Sequence, residues 1–557
     1  MIVLLPPSET KRPGGDGAPL RLGALSVPEL TPLRAALVDE LVELAASPEA
    51  SRKALAISAS QDSEIQRNAE LRSAPTMPAI DRYTGVLYDA LDVGSLRGAT
   101  ATRARARLAV GSALFGLLRA GAVPVMCLPA HRRAELSHFA TVSGAVALVI
   151  ADRFGGFDYR DMARELVAEH PRLRQVVVDG DAGEFTSWTS LFGHGSAAAP
   201  TIDTAEPALL LVSGGTTGAP KLIPRTHDDY YYNATASAAL CEMTGDDVYL
   251  TVLPAAHNFP LSCPGMLGAM SVGANTVFTT DPSPESAFAT IARHRVTVCA
   301  LVPALATLWT QACEWEPQRP TTLRLLQVGG AKLSAPDAAA VRAALTPGLQ
   351  QVFGMAEGLI NYTRPGDDPE LLDHTQGAPL CPDDELRIVD DEGADVPVGG
   401  EGELLVRGPY TLGGYYRAPS DNERSFSPDG FYRSGDRVRR RADGYLEVTG
   451  RIKDVIHRGG ETISALDLEE HLLTHPSIRA AAAVPVPDPY LGEKICAVVV
   501  FSGPAVSLSD LNGYLDDRGV AVHSRPDTLI AQTSLPVTAV GKVDKKAITR
   551  AIAAAPA

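Results

Sequence analysis

The sequence predicts a multidomain α/β protein whose largest part is a mainly parallel sheet. Two observations carry this. Short apolar runs at 123–127, 145–151 and 175–178 alternate with helical segments such as 159–169, the pattern of strands joined by crossover helices. The chain is also 557 residues long, well beyond the size at which single cores stop growing.

Hydrophobic residues make up 45% and charged residues 21%, an ordinary globular balance. Fifty Lys and Arg against 66 Asp and Glu leave a net charge of −16, which argues against general nucleic-acid binding and leaves room only for a local basic patch. The seven cysteines, at 127, 241, 263, 299, 313, 381 and 496, are odd in number and contain no Cys-x-x-Cys pair. They point to free thiols in a reducing compartment. No apolar run reaches the roughly 18 residues needed to cross a bilayer. The start, Met1-Ile-Val-Leu-Leu5, has no basic flank and runs into Pro6-Pro7, so it reads as a strand and not as a secretory signal. A cytoplasmic protein without a membrane partner is the expectation.

Helical periodicity follows the first turn at 32–44 and again at 103–118. The apolar run 208–212 then breaks into Ser213-Gly-Gly-Thr-Thr-Gly-Ala-Pro-Lys221. Gly214, Gly215 and Gly218 let backbone N–H groups approach an anion, the hydroxyls of Ser213, Thr216 and Thr217 add donors, and Lys221 adds charge. Phosphate is the natural guest, although such a stretch alone is as much an ordinary Gly-rich turn. It is not a Walker loop, because Ala219-Pro220 separate the last glycine from the lysine. Further on, Gly329-Gly330-Ala331 ends the apolar run 325–328 and leaves a wall with few side chains. Glu357 is a hard oxygen ligand suited to Mg²⁺ or simply a solvated loop carboxylate. Asp436, after a glycine, is either a turn former or an acceptor for two ribose hydroxyls.

Six motifs occur in order: Ser213 to Lys221, Phe353-Gly-Met-Ala-Glu357, Tyr432-Arg-Ser-Gly-Asp436, Gly450-Arg-Ile-Lys-Asp454, Arg458-Gly-Gly460 and Gly541-Lys542. In that order and spacing they resemble the adenylate-forming superfamily of acyl- and aryl-AMP ligases, over residues 121 to the end. The resemblance implies a large adenylation domain at 121–452, a hinge at Lys453 and a small α+β lid at 453–557. It implies ATP and Mg²⁺ as cofactors. The loop 213–221 would hold the β- and γ-phosphates, Glu357 the metal and Asp436 the ribose. Gly330, Ala331, Val352 and Arg451 would complete the nucleotide site, and Lys542 would bridge the carboxylate and the α-phosphate until rotation about Lys453 withdraws it.

The stretch Leu253-Pro-Ala-Ala-His-Asn-Phe-Pro-Leu-Ser-Cys-Pro-Gly265 resembles the subgroup that activates 2,3-dihydroxybenzoate or salicylate for siderophores. That likeness implies an aromatic acid substrate and a phosphopantetheinyl aryl carrier protein of a non-ribosomal peptide synthetase as partner. His257 joins the catalytic set, Asn258 would bond the ortho hydroxyl, and Phe259 and Val352 would pack on the ring, with Gly330 allowing its approach. Cys263 stands where dihydroxybenzoate enzymes place a serine; a thiol is the weaker hydrogen-bonding group, so salicylate is favoured. A coenzyme A ligase for an aromatic acid is the neighbouring alternative.

Residues 1–120 read differently. Met1-Ile-Val-Leu-Leu-Pro-Pro-Ser-Glu-Thr-Lys11, Ile57-Ser-Ala-Ser-Gln61 and Arg82-Tyr-Thr-Gly-Val-Leu-Tyr88 resemble the first half of the YaaA peroxide-stress family. The stretch 114–125 fits either family, so the chain reads as a chimera in which the first part of the adenylation core is replaced. One diverged N-terminal subdomain is the alternative. In the chimeric reading, the borrowed segment carries a stress or nucleic-acid role, or leaves the ligase impaired.

Overall fold

The computed structural model describes residues 2–5, 111, 113–191, 202–213, 220–279, 281–452, 454–458, 461–538 and 541–554. The first sheet has the order β5-β4-β3-β1-β2-β6-β7. Its strands are β1 (Ile2–Leu5), β2 (Val123–Met126), β3 (Ala147–Ala151), β4 (Gln175–Asp179), β5 (Thr186–Ser187), β6 (Pro207–Val212) and β7 (Leu222–Thr226). The second has the order β9-β8-β10-β11-β12-β13-β14. It is built from β8 (Val248–Thr251), β9 (Asn275–Phe278), β10 (Val298–Leu301), β11 (Leu325–Gly329), β12 (Leu349–Gly354), β13 (Ile360–Tyr362) and β14 (Ala378–Pro379). From β9 to β12 every pairing is parallel, and β13 and β14 close the edge antiparallel. The apolar runs 123–127, 145–151 and 175–178 fall on β2, β3 and β4 of the first sheet, where β3 and β4 pair in parallel.

The first sheet is more mixed than the sequence predicts, because β1 pairs antiparallel with both β2 and β3, placing Ile2 opposite Met126 and Val149. The apolar start of the chain therefore occupies the middle of the sheet, where both rows of its backbone donors and acceptors find partners. Residues 113–119 are helical, in agreement with the second periodic stretch. The first, at 32–44, lies outside the described residues.

A four-stranded antiparallel sheet follows, β15 (Glu385–Val389), β16 (Glu401–Arg407), β17 (Tyr432–Arg440) and β18 (Leu446–Arg451). Leu404, Val406, Tyr432 and Leu446 of this sheet share one core with Leu209, Leu211 and Ile223 of the first. Asp436 lies within β17, and not in the turn expected for it, since β17 runs on through Gly435 and pairs Asp436 with Arg451. The C-terminal unit has its own core of Ile456, Leu468, Leu472, Ile495, Val499, Leu511 and Leu515. Its five-stranded sheet contains β19 (Val455–Arg458), β20 (Glu461–Ser464), β21 (Ile478–Asp488), β22 (Gly492–Phe501) and β23 (Thr528–Ala531). The hydroxyl of Ser464 accepts from Asp467 N at 3.2 Å and opens the helix Ala465–Leu473.

Candidate active site

The short helix α1 (Asn258–Ser262) is capped by His257, whose Nδ1 accepts from Phe259 N at 3.2 Å. The ring proton of neutral His257 is thereby placed on Nε2. Burial, and then the charge of Lys542, push its pKa down to about 4, so the imidazole is a neutral donor at physiological pH. Asn258, Phe259 and Cys263 are all buried along α1. Asn258 Nδ2 lies 3.6 Å from Cys263 Sγ, and the thiol donates to the Asn258 carbonyl. Burial raises the Cys263 pKa to about 12, so it is a neutral thiol.

Phe259 and Val352 come together across the end of β11. A side chain at Gly329 would meet Val352 O at 2.6 Å and Phe259 Cζ at 3.1 Å, so this wall tolerates only hydrogen there. The sequence assigns that task to Gly330. Gly330 instead faces Lys542, whose Cε lies 3.3 Å from where its Cβ would stand, and its φ of +86° also favours glycine.

Lys542 reaches this point on a turn in which Thr538 N donates to Lys542 O at 2.7 Å and Thr538 Oγ1 accepts from Lys542 N at 3.2 Å. Gly541 packs against Val302, where a Cβ would meet Cγ2 at 2.9 Å. The lysine is drawn in among opposite and like charges. Burial and the Arg451 guanidinium push its pKa down to about 8, against the pull of Asp436 and Glu357. Asp436 is buried and accepts from Arg451 Nε at 2.7 Å. Burial raises its pKa, and Arg451 opposes that shift.

Glu357 is linked to the loop lysine through one tyrosine. Tyr415 OH donates to Glu357 Oε1 at 2.9 Å and lies 2.9 Å from Tyr432 OH. Lys221 Nζ sits 4.1 Å from the centre of the Tyr415 ring and 3.9 Å from Asp421 Oδ1. Ser213 N donates to Lys221 O at 2.9 Å and Lys221 N to Ser213 Oγ at 2.8 Å, so the two ends of the loop are tied. Gly214, Gly215, Thr216, Thr217 and Gly218 lie outside the described residues, as does Lys453. Ala331 adjoins the Gly330 wall.

Sequence reading placed Gly329 in a wall with few side chains without giving it the ring contact, and it missed Tyr415 and Arg225. Arg225 is fully buried, pairs with Asp229 at 2.8 Å, and donates to Ala356 O at 2.8 Å beside Glu357. Its partner is 131 residues away, and no local signal announces that. His257, Asn258, Phe259, Cys263, Gly330, Val352, Glu357, Asp436, Arg451 and Lys542 do converge.

Phe259, Val352 and two glycines thus lie beside a buried lysine that Arg451, Asp436 and Glu357 act on, an arrangement suited to an enzyme that joins a small acid to a nucleotide. A family profile described as AMP-binding enzyme matches residues 99–416, and one described as AMP-binding enzyme C-terminal domain matches 467–542. The chain belongs to the AMP-binding enzyme family, with a large domain and a small C-terminal one. It is 70% identical over 441 residues to the salicyl-AMP ligase / salicyl-S-ArCP synthetase of Mycobacterium tuberculosis, covering 79% of this chain and 78% of that protein. To the 2,3-dihydroxybenzoate-AMP ligase of Bacillus subtilis it is 46% identical, covering 79% and 81%. The apo structure of Mycobacterium smegmatis MbtA matches with 72% identity and a TM-score of 0.59, covering 79% of this chain and 82% of that one. A profile described as peroxide stress protein YaaA matches residues 1–125, overlapping the AMP-binding match as the shared stretch 114–125 leads one to expect. No helix among the described residues is long and apolar enough to cross a membrane.

Proposed function

We propose that the chain activates an aromatic carboxylic acid with ATP, salicylate in preference to 2,3-dihydroxybenzoate, and passes the aryl group to the phosphopantetheine thiol of an aryl carrier protein. The observation that carries this reading is the placement of Lys542 against Gly330, next to Gly329 with its neighbours Phe259 and Val352, where its charge acts on His257. Identity to the M. tuberculosis protein at the level of 70% supports the choice of acid and acceptor.

In this reading the acid ring slides between Phe259 and Val352 over Gly329, and Asn258 meets its ortho oxygen. The carboxylate then faces neutral His257 and protonated Lys542. Lys542 neutralises charge as carboxylate and α-phosphate approach, the moment at which an aimed cation lowers the barrier most. Asp436 takes the ribose hydroxyls and Arg451 holds its carboxylate in place. The loop from Ser213 to Lys221 takes the pyrophosphate end. Glu357 offers one hard carboxylate, oriented by Tyr415, and Mg²⁺ is a cation bound through one or two carboxylates with phosphates completing its shell. Mg²⁺ held there would neutralise phosphate charge. Rotation about Lys453 withdraws Lys542 for thioester formation. The parts divide at 1–120, 121–452 and 453–557. A non-ribosomal peptide synthetase supplies the carrier, in the cytoplasm.

ATP–pyrophosphate exchange with salicylate, 2,3-dihydroxybenzoate and benzoate tests the reading. The expected order is salicylate, then dihydroxybenzoate, then benzoate. Folded protein that exchanges with none of them overturns it.

A further inference from the structure

One buried cation holds together the two chain segments that aim Glu357. Glu357 lies on the segment 355–360, which follows β12, and the segment 408–415 packs against it. Leu412 N donates to the Glu357 carbonyl at 2.7 Å, Tyr410 OH accepts from Ile360 N at 3.1 Å, and Tyr415 OH donates to the Glu357 carboxylate. The segments approach so closely that a Cβ at Gly358 would meet Thr411 Cα at 2.7 Å. Arg225 joins them from the interior. Its Nη1 donates to Ala356 O at 2.8 Å and its Nη2 to Tyr410 O at 3.3 Å, while Nε pairs with Asp229 at 2.8 Å.

Arg225 also ties this pair of segments to the phosphate loop. It stands on β7, whose first residue, Leu222, follows Lys221 directly and accepts from Tyr416 N through its carbonyl at 2.9 Å. Lys221 itself lies over the Tyr415 ring. One short strand therefore holds the loop lysine at its start and the backbone beside Glu357 near its end. Stability alone does not account for the arginine, because a buried ion pair often adds nothing over apolar residues of the same volume. A planar guanidinium is instead the group suited to holding separate acceptors in one fixed geometry.

We propose that Arg225 is a positioning residue for Glu357: by tying Ala356 O to Tyr410 O it sets where the carboxylate stands relative to the loop lysine, and with it the hold of the site on a divalent cation carried by the nucleotide. This rests on the reading of Glu357 as the metal carboxylate given above. The same side chain has a second route, towards the acid, since its guanidinium stands 5.1 Å from the centre of the Tyr230 ring and Tyr230 OH donates to Asn258 Oδ1 at 3.0 Å. The routes differ in what they move: the first changes metal affinity, the second KM for the acid.

The test is calorimetry of a non-hydrolysable ATP analogue binding to full-length protein, once with saturating Mn²⁺ and once with a chelator, beside pyrophosphate exchange with salicylate. The factor by which Mn²⁺ tightens the analogue equals, by linkage, the factor by which the protein tightens Mn²⁺ on the analogue. Arg225→Lys keeps the charge and gives up the forked donors. It should lower that factor on the order of 10-fold, as loss of a group that orients a metal ligand does, while binding in chelator and KM for salicylate stay as in wild type. In a Glu357→Gln background it should lower the factor no further, since residues that act through one group are not additive. An unchanged factor, a raised salicylate KM in its place, or additive losses with Glu357→Gln overturn the proposal. If Arg225→Lys does not fold, Tyr410→Phe carries the test: it leaves the buried charge in place, removes the hydroxyl that holds Ile360 N, and should lower the factor roughly threefold, the worth of one neutral hydrogen bond; no change there overturns the proposal equally. A Glu357→Gln variant with the wild-type factor overturns the metal reading of Glu357 itself, and this inference with it.

Discussion

Replacing Lys542 by alanine removes the cation that the C-terminal unit inserts beside Gly330, Asp436 and Glu357. The charged amine is held there at a cost: a pKa of about 8 in place of 10.5 corresponds to roughly 3 kcal/mol at about 1.4 kcal/mol per pH unit. A charge kept at that cost returns most when an anion arrives, so its loss should remove a similar amount, on the order of 10²–10³ in the adenylation rate. The pH dependence gives the sharper reading. The folded-state pKa is lowered, so the cation is present below about pH 8 and lost above it. In free wild-type enzyme kcat/KM for pyrophosphate exchange should therefore bend downward near pH 8, because that parameter reports the free enzyme. The bend in kcat should lie at higher pH, since bound triphosphate favours the protonated amine. His257, at about 4, titrates too low to imitate either bend. Lys542→Ala should lose the alkaline limb along with the rate, while thioester formation from supplied aryl-AMP persists. A variant that keeps a third or more of the exchange rate, or shares the wild-type alkaline limb, refutes the assignment.

Two further outcomes are expected. Cys263→Ser should raise the ratio of kcat/KM for 2,3-dihydroxybenzoate over salicylate, by no more than about 10²-fold, because a pocket that merely lacks a partner for an extra hydroxyl discriminates weakly; steady-state exchange with both acids measures it. Lys332 Nζ lies 2.6 Å from Glu470 Oε1 on the C-terminal unit, and a half-exposed pair of this kind is worth about 1 kcal/mol or less. Glu470→Gln should slow adenylation a few-fold at low salt and hardly at all at high salt, with thioester formation spared, as single-turnover measurements of the two half-reactions would reveal.

Much of the site is legible in the residues alone, because its parts are short motifs whose chemistry is local. Ser213 to Lys221 is a loop by its glycines, Ser464 is a helix cap by its spacing to Asp467, and His257-Asn258-Phe259 sits on one short turn by its prolines. The apolar start of the chain is a strand by composition. Its place between Val123–Met126 and Ala147–Ala151 is a tertiary fact, since an apolar strand does not encode which edges it will fill. The same holds for Gly329 against Gly330: two adjacent glycines look alike in sequence, and only Val352 on the next strand and Lys542 from the distant C-terminal unit distinguish them. Residue types at fixed spacing thus determine what this protein can bind and which groups can act. Packing across more than a hundred residues, from Arg225 to Ala356 and from Gly330 to Lys542, decides where each group points, because hydrogen-bond direction and buried charge depend on neighbours that the local sequence does not specify.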